Sequence, residues 1–182
     1  MMNINFEEIK NKWITPDGIN LREHMHETIK DVENPTKKEL KAFNSFLRAN
    51  KEESVILFHG TSSEYNIKED GIKKTTARTR KSIQTTLGYV YASVFKELAQ
   101  IFGEMANPHN EISVYAIKVK VKDLKADLDQ LTNKRRWGEN ENIGNTLADS
   151  LVFGRGARIK RNIEDYEVRE IWNTKESKLN VA

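Results

Sequence analysis

The sequence contains no cysteine and only three prolines among its 182 residues. Without cysteine, disulfide bonds, thiolate catalysis and cysteine-ligated zinc are all excluded. No stretch of roughly 18 apolar residues is present that would cross a membrane, and the first twelve residues lack the apolar core of a signal peptide. We therefore expect a cytoplasmic protein with no membrane partner.

Familiar cofactor and metal motifs are also missing. The chain has no G-x-x-x-x-G-K-S/T phosphate-binding loop, and Gly154-Arg155-Gly156 lacks the third glycine of a dinucleotide-binding fingerprint. His24 and His26 are two residues apart, whereas two metal ligands on one helix face need a separation of about four. We therefore expect no metal site.

The composition is that of a globular protein with a highly charged surface. Hydrophobic residues make up 37% of the chain and charged residues 31%, which supplies an adequate core. The formal net charge is +3. A balance this mild permits contact with nucleic acid without requiring it.

Two kinds of periodicity divide the chain near residue 50. Residues 1–50 space their apolar residues as helices do, and Thr36 with Glu39 forms a capping box ahead of one apolar stripe. Beyond this point short apolar or alternating runs predict strands at 54–58, 87–92, 112–121, 157–159 and 166–172. Because helices do not alternate regularly with these strands, we predict an α+β fold. An N-terminal helical segment (1–50) precedes a second unit (51–182).

Two local predictions concern the segments between these strands. Val94, Leu98, Ile101 and Met105 recur at helical spacing and predict one packing face of a helix. Residues 133–145 are polar without an apolar period, which predicts a surface loop.

The first predicted strand ends in His59, Gly60 and Thr61. This sequence presents an imidazole, a bare backbone and a hydroxyl to a polar ligand, because glycine permits close approach of the main chain. The alternative is a buried histidine that bonds a backbone carbonyl. The next strand places Tyr89 and Tyr91 on one face, where they either fill the core or border a cleft and stack on a planar ligand.

Charged residues flank these strands on both sides. The segment from Lys73 to Thr86 holds five cations and is either a solvated turn or a phosphate-binding loop, in which Arg78 is a candidate ligand residue. The last predicted strand carries Glu167, whose carboxylate we expect near the mouth of the same sheet. Together these features favour a nucleotide-like ligand.

In these motifs the sequence resembles the NAD-binding half of the ADP-ribosyltransferase superfamily. The branch it resembles is the His-Tyr-Glu class of diphtheria-type toxins and poly-ADP-ribose polymerases, and RNA 2′-phosphotransferases share the early pattern. The resemblance covers about residues 56–172. It rests on His59-Gly60-Thr61, Ile67, Gly71-Ile72, Gly88-Tyr89-Val90-Tyr91-Ala92-Ser93, Ala99 and Phe102-Gly103.

The resemblance implies a split mixed β-sheet that holds NAD in a bent shape. It implies that His59 bonds the ribose and nicotinamide region, with Thr61 beside it, and that Gly60 bonds the carboxamide through its backbone. A tyrosine would stack on the nicotinamide ring, and Tyr91 is our first choice with Tyr89 as the second. The catalytic glutamate implied on the last strand is Glu167, with Glu170 as the alternative.

The expected function is therefore an NAD-dependent mono-ADP-ribosyltransferase that modifies a protein or nucleic acid and releases nicotinamide. One alternative is an NAD-dependent RNA 2′-phosphotransferase, which Arg78, Arg80 and Arg158 motivate. Another is an inactive module that binds nucleic acid or protein. A carboxylate that stabilises the oxocarbenium-like state needs neither a metal nor a thiol, which agrees with the absence of cysteine.

Overall fold

A computed structural model describes residues 18–76, 85–136, 138 and 142–175. The candidate residues Arg78 and Arg80 lie outside the described residues. Within these residues, no helix has the length and apolar character needed to cross a membrane.

The described residues form six α-helices and six strands. The helices are α1 (Leu21–Thr28), α2 (Lys37–Ala49), α3 (Ile67–Asp70), α4 (Lys96–Ala106), α5 (Leu128–Arg136) and α6 (Leu147–Phe153). The strands are β1 (Ser54–Ser62), β2 (Val90–Ser93), β3 (Ile112–Lys120), β4 (Leu124–Lys125), β5 (Gly156–Ile159) and β6 (Val168–Asn173). Single turns of 3-10 helix precede β4 and β6.

The six strands make one sheet in the order β4-β5-β2-β1-β3-β6, which confirms the α+β prediction. All five pairings between these strands are antiparallel, whereas the resemblance implies a mixed sheet. The parallel pairing that the described residues contain is an isolated bridge between Gly18 and Ser54. The expectation of a mixed sheet is therefore wrong for the described strands, which are all antiparallel, because Gly18 belongs to none of them.

The sheet nearly parts between its two central strands. β1 pairs with β3 through nine residues, but with β2 only through Phe58 opposite Ser93. Beyond this pair β2 continues along β5 while β1 continues along β3. The parting divides the sheet into the halves β4-β5-β2 and β1-β3-β6.

One face of the sheet carries the main core. Apolar residues of α1, α2 and α6, such as Phe43 and Leu151, belong to one cluster with Leu57 of β1 and Ile159 of β5. The first two helices therefore share the core of the sheet, and the boundary predicted near residue 50 separates helices from strands but not two cores. The predicted capping box of Thr36 is confirmed: its hydroxyl accepts from the Glu39 amide while its own amide donates to the Glu39 carboxylate.

Helix α4 covers the other face of β1 and β3. A methyl group added to Gly60 would collide with the Ala99 carbonyl, and one added to Gly103 would lie 2.9 Å from the Gly60 carbonyl carbon. The two glycines therefore let the helix backbone approach the strand closely. This contact fixes α4 next to the residues that end β1.

Candidate active site at the parting of the sheet

His59 lies at the edge of the parting and is half-buried. Its Nδ1 is 2.7 Å from the main-chain oxygen of Tyr91, so the ring reaches from β1 to β2 where the two strands no longer pair. Because a carbonyl oxygen only accepts, Nδ1 carries the proton and the neutral ring keeps its lone pair on Nε2. Burial lowers the pKa of His59, opposed in part by the hydrogen bond to Tyr91.

The two tyrosines lie on β2 or directly before it. Their ring centroids are 6.4 Å apart and the rings are inclined by 61°, an edge-to-face arrangement. Both residues are half-buried, as expected for rings at the border of a cleft. The hydroxyl of Tyr91 donates to Asp129 Oδ2 at 2.7 Å and lies 2.8 Å from the Thr86 carbonyl oxygen. Burial, followed by the neighbouring Asp129 carboxylate, raises the pKa of Tyr91.

Asp129, at the start of α5, holds the segment that leads into β2. Its carboxylate accepts from the Thr86 amide at 2.8 Å and from the Thr86 hydroxyl at 2.9 Å, in addition to Tyr91. Burial alone would raise the pKa of Asp129, but these hydrogen bonds outweigh it and hold that pKa below its usual value. The sequence reasoning missed this residue. The available signal was the acidic pair Asp127-x-Asp129 directly after a strand.

Arg158 of β5 stands opposite Tyr91 in the sheet register, so both side chains lie on one face. Its guanidinium carbon is 4.2 Å from the centroid of the Tyr89 ring, a cation–π contact. The side chain is 9% exposed, and Nη1 is 3.8 Å from Asp129 Oδ2. Nε and Nη1 are buried without a hydrogen-bond partner. Buried donors that lack a partner are costly, so this corner suits an acceptor supplied by water or a ligand.

Gly60 and Thr61 have packing roles in this arrangement. Helix α4 lies so close to position 60 that any β-carbon there would meet the Ala99 carbonyl, which explains why this residue is glycine. Thr61 is buried and stands opposite Ser113 of β3. The resemblance implies that both residues take part in NAD binding. These roles stay predictions, and they concern the main chain of the two residues more than their side chains.

Glu167 does not belong to the row of residues that stand opposite one another across β1, β3 and β6, starting from His59. It ends the 3-10 turn before β6, where its two carboxylate oxygens each accept from Arg161 at 2.7 Å. The same arginine also bonds Asp123 at 2.9 Å. These contacts tie the end of β5 to the segments before β4 and β6, and they favour a structural role for Glu167.

Glu170, the alternative, does lie in that row. His59 stands opposite Tyr115 in β3, and Tyr115 stands opposite Glu170 in β6, so the three side chains share one face of the sheet. Glu170 accepts from the Ser113 hydroxyl at 2.7 Å and pairs with Lys68 at 2.6 Å. Its side chain is 20% exposed. The register therefore places Glu170, and not Glu167, on the face of the sheet that carries His59.

The structure thus joins His59, Tyr89, Tyr91, Asp129 and Arg158 through direct contacts around β2. Within the described residues, no three potential metal ligands of the His, Cys, Asp or Glu type cluster together. No family model matches this chain, and no curated protein matches it significantly. The functional proposal therefore rests on the residues and their geometry.

Proposed function

We propose that this protein is an NAD-dependent mono-ADP-ribosyltransferase that transfers ADP-ribose to a macromolecule and releases nicotinamide. The observation that carries the proposal is the hydrogen bond from the His59 ring to the Tyr91 carbonyl across the parting between β1 and β2. This bond fixes the imidazole against the main chain of β2, the strand whose start carries the two half-buried aromatic rings, at the point where the described parts of β1 and β2 stop pairing.

The chemistry of these side chains fits a dinucleotide. Tyr91, the first choice of the two tyrosines, offers a ring on which a planar nicotinamide would stack. His59 keeps an acceptor on Nε2 that suits a ribose hydroxyl. Arg158 has two buried donors without partners, and an anionic or amide oxygen would satisfy them.

Bound NAD supplies a ribose carbon from which neutral nicotinamide departs with the electrons of the glycosidic bond. The acceptor forms the new bond to the same carbon and loses a proton, so atoms and charge balance. We assign Glu170 to stabilise the positive charge that develops on the ribose and to orient the acceptor. Asp129 is a positioning residue, because its hydrogen bonds hold the Tyr91 hydroxyl and Thr86 in place.

The direct test incubates the purified protein with labelled NAD and a cell lysate. We expect His59→Ala to lower label transfer by about 100-fold, since it removes the group that bridges the parting. The matched control is His26→Ala, an exposed histidine of α1, which should leave transfer unchanged. If folded His59→Ala transfers label at the wild-type rate, His59 is not part of the active site.

A second candidate function is NAD-dependent removal of an RNA 2′-phosphate. The observation that favours it is Arg158, whose buried and unpartnered donors suit a phosphate as well as a dinucleotide. The test supplies a 2′-phosphorylated oligonucleotide with NAD. Loss of that phosphate only when NAD is present would establish this reaction in place of stable ADP-ribosylation.

A further inference from the structure

We propose that the acceptor of this transferase is a single-stranded nucleic acid, which lies across the half-sheet β4-β5-β2. The inference rests on the proposed function and deepens it by naming the class of acceptor. It concerns a surface that we call the basic–aromatic face, made of Lys74, Tyr89, Lys125, Arg158 and Lys160.

The sheet register builds this face in one row. Tyr91 stands opposite Arg158, and Arg158 stands opposite Lys125, so their side chains share one side of the sheet. Lys125 and Lys160 are exposed, and Lys160 directly follows β5. The row therefore runs from a buried aromatic corner to a positively charged rim.

A second segment brings another cation to the same place. The Thr75 amide donates to the Tyr89 carbonyl at 3.0 Å, and the Lys74 amide donates to the Asn162 side chain at 3.0 Å. These bonds hold the exposed Lys74 between Tyr89 and the end of β5. Three exposed lysines thus lie on segments that pair with, follow or bond the segments of the tyrosine and the arginine.

The acids of this region leave the lysines available. Asp129 accepts from Tyr91 and Thr86 and lies beside Arg158, while Asp123 and Glu167 pair with Arg161. Within the described part of the chain, Lys74, Lys125 and Lys160 form no ion pair with a carboxylate. The uncompensated charge on this face is therefore positive.

The positive charge and the aromatic surface together indicate which class of ligand binds to the basic–aromatic face. Lysines that track a phosphate backbone and rings that stack on bases are the two features with which proteins hold single strands. The exposed side chains of Leu87 and Leu128 lie on segments that flank Tyr91 and Asp129, and they add apolar surface for unpaired bases. An acidic peptide would use the lysines but would gain nothing from the aromatic surface beside them.

The experiment measures binding of single-stranded RNA and DNA oligonucleotides of about 20 nucleotides, and the transfer of label to them from NAD. We expect the double variant Lys125→Ala/Lys160→Ala to weaken binding about 25-fold near 0.1 M salt and to reduce the slope of log K against log salt by roughly 1.4. Tyr89→Leu should weaken binding about tenfold through lost stacking. The matched control is Lys38→Ala/Lys41→Ala on α2, which packs against the opposite face.

Each outcome decides one of the two claims. Binding that depends on Lys125, Lys160 and Tyr89, together with label on the oligonucleotide, supports the inference. Label found only on proteins, or binding that the double variant and its control affect equally, overturns it. If the wild-type protein releases no nicotinamide from NAD, the proposed transferase is wrong, and the binding measurements alone then decide whether this face holds single strands.

Discussion

At the scale of single residues, the protonation of His59 has a measurable consequence. Burial lowers the pKa of this imidazole, so the folded state favours the neutral ring. The stability that this histidine contributes is fully present above about pH 6.5, its pKa in the unfolded chain. That stability is lost as the pH falls through the lower pKa that His59 has in the folded protein. The ring is therefore neutral at pH 7, with Nε2 as acceptor.

We predict that an NMR titration of the histidine rings gives His59 a midpoint below 6.5, the value of an unperturbed histidine. The variant His59→Gln should lose less stability than the wild type when the pH is lowered from 7 to 5. A His59 midpoint at or above about 6.5 would contradict the neutral ring.

Asp129 supports a second prediction at this scale. Asp129→Asn weakens the contacts to Tyr91 and Thr86 because an amide accepts less strongly than a carboxylate. We expect KM for NAD to rise about tenfold while kcat changes less, as for a residue that positions a binding group. The control is Asp31→Asn, whose carboxylate bonds only its own loop within the described residues. A fall in kcat at constant KM would instead place Asp129 in the chemical step.

Sequence reasoning predicted His59 and the tyrosine pair because each follows from a local pattern. It missed Asp129, since the residue acquires its role from Tyr91, 38 positions away in the chain. It named Arg158 only through the resemblance. The stacking of this arginine on Tyr89 depends on the pairing of β5 with β2, which no local pattern specifies.

At the scale of elements, helix α4 shows how packing differs from periodicity. The predicted face of Val94, Leu98, Ile101 and Met105 is wrong in part, because Ile101 and Met105 are about half exposed. The face that packs contains Ala99 and Gly103, with Gly60 of β1 opposite. Small residues let the two backbones approach, and Ile101 and Met105, two positions away from them, lie on the opposite side of the helix.

We predict that Gly60→Ala destabilises the protein by about 2 kcal/mol, the typical cost of overpacking, because the added methyl group meets the Ala99 carbonyl. Gly103→Ala should act in the same direction. Glu104→Ala on the exposed side of the same helix is the control and should stay within about 0.5 kcal/mol. The measurement is chemical denaturation, and wild-type stability of Gly60→Ala would refute the close contact.

Helix α5 is an element that the sequence did not predict. A polar loop was expected over residues 133–145, yet the helix runs from Leu128 to Arg136. Asp127 caps it, because its Oδ1 accepts from the amides of Asp129 and Gln130. Leu131 is its buried anchor, and the two leucines of the helix, Leu128 and Leu131, make a single i, i+3 pair that is too short to reveal a helical period.

The two glutamates at the end of the sheet give a prediction about separate roles. Glu170→Gln should lower the rate of label transfer by about 100-fold without unfolding the protein, since it shares the row of His59. Glu167→Gln should lower stability by about 1–2 kcal/mol by weakening the bond to Arg161, and should leave transfer by the folded protein unchanged. The reverse pattern would return the catalytic role to Glu167.

At the scale of the whole molecule, the site depends on an interruption that only the assembled sheet contains. The α+β class and the five longer strands follow from the alternation of the sequence. The parting does not, because it arises where β1 and β2 diverge after Phe58 and Ser93 to follow different neighbours. Helices α1 and α2 help to close the core beneath it, so the site belongs to the complete fold.

The central claim is that a dinucleotide binds at this parting, and NMR of the isotope-labelled protein tests it most directly. On addition of NAD to about 1 mM, a usual upper bound for KM, we predict shifts concentrated at the His59 ring, at the amides of residues 59–61 and at those of residues 89–93. No change at these positions under saturating NAD, or shifts confined to another surface, would contradict the claim.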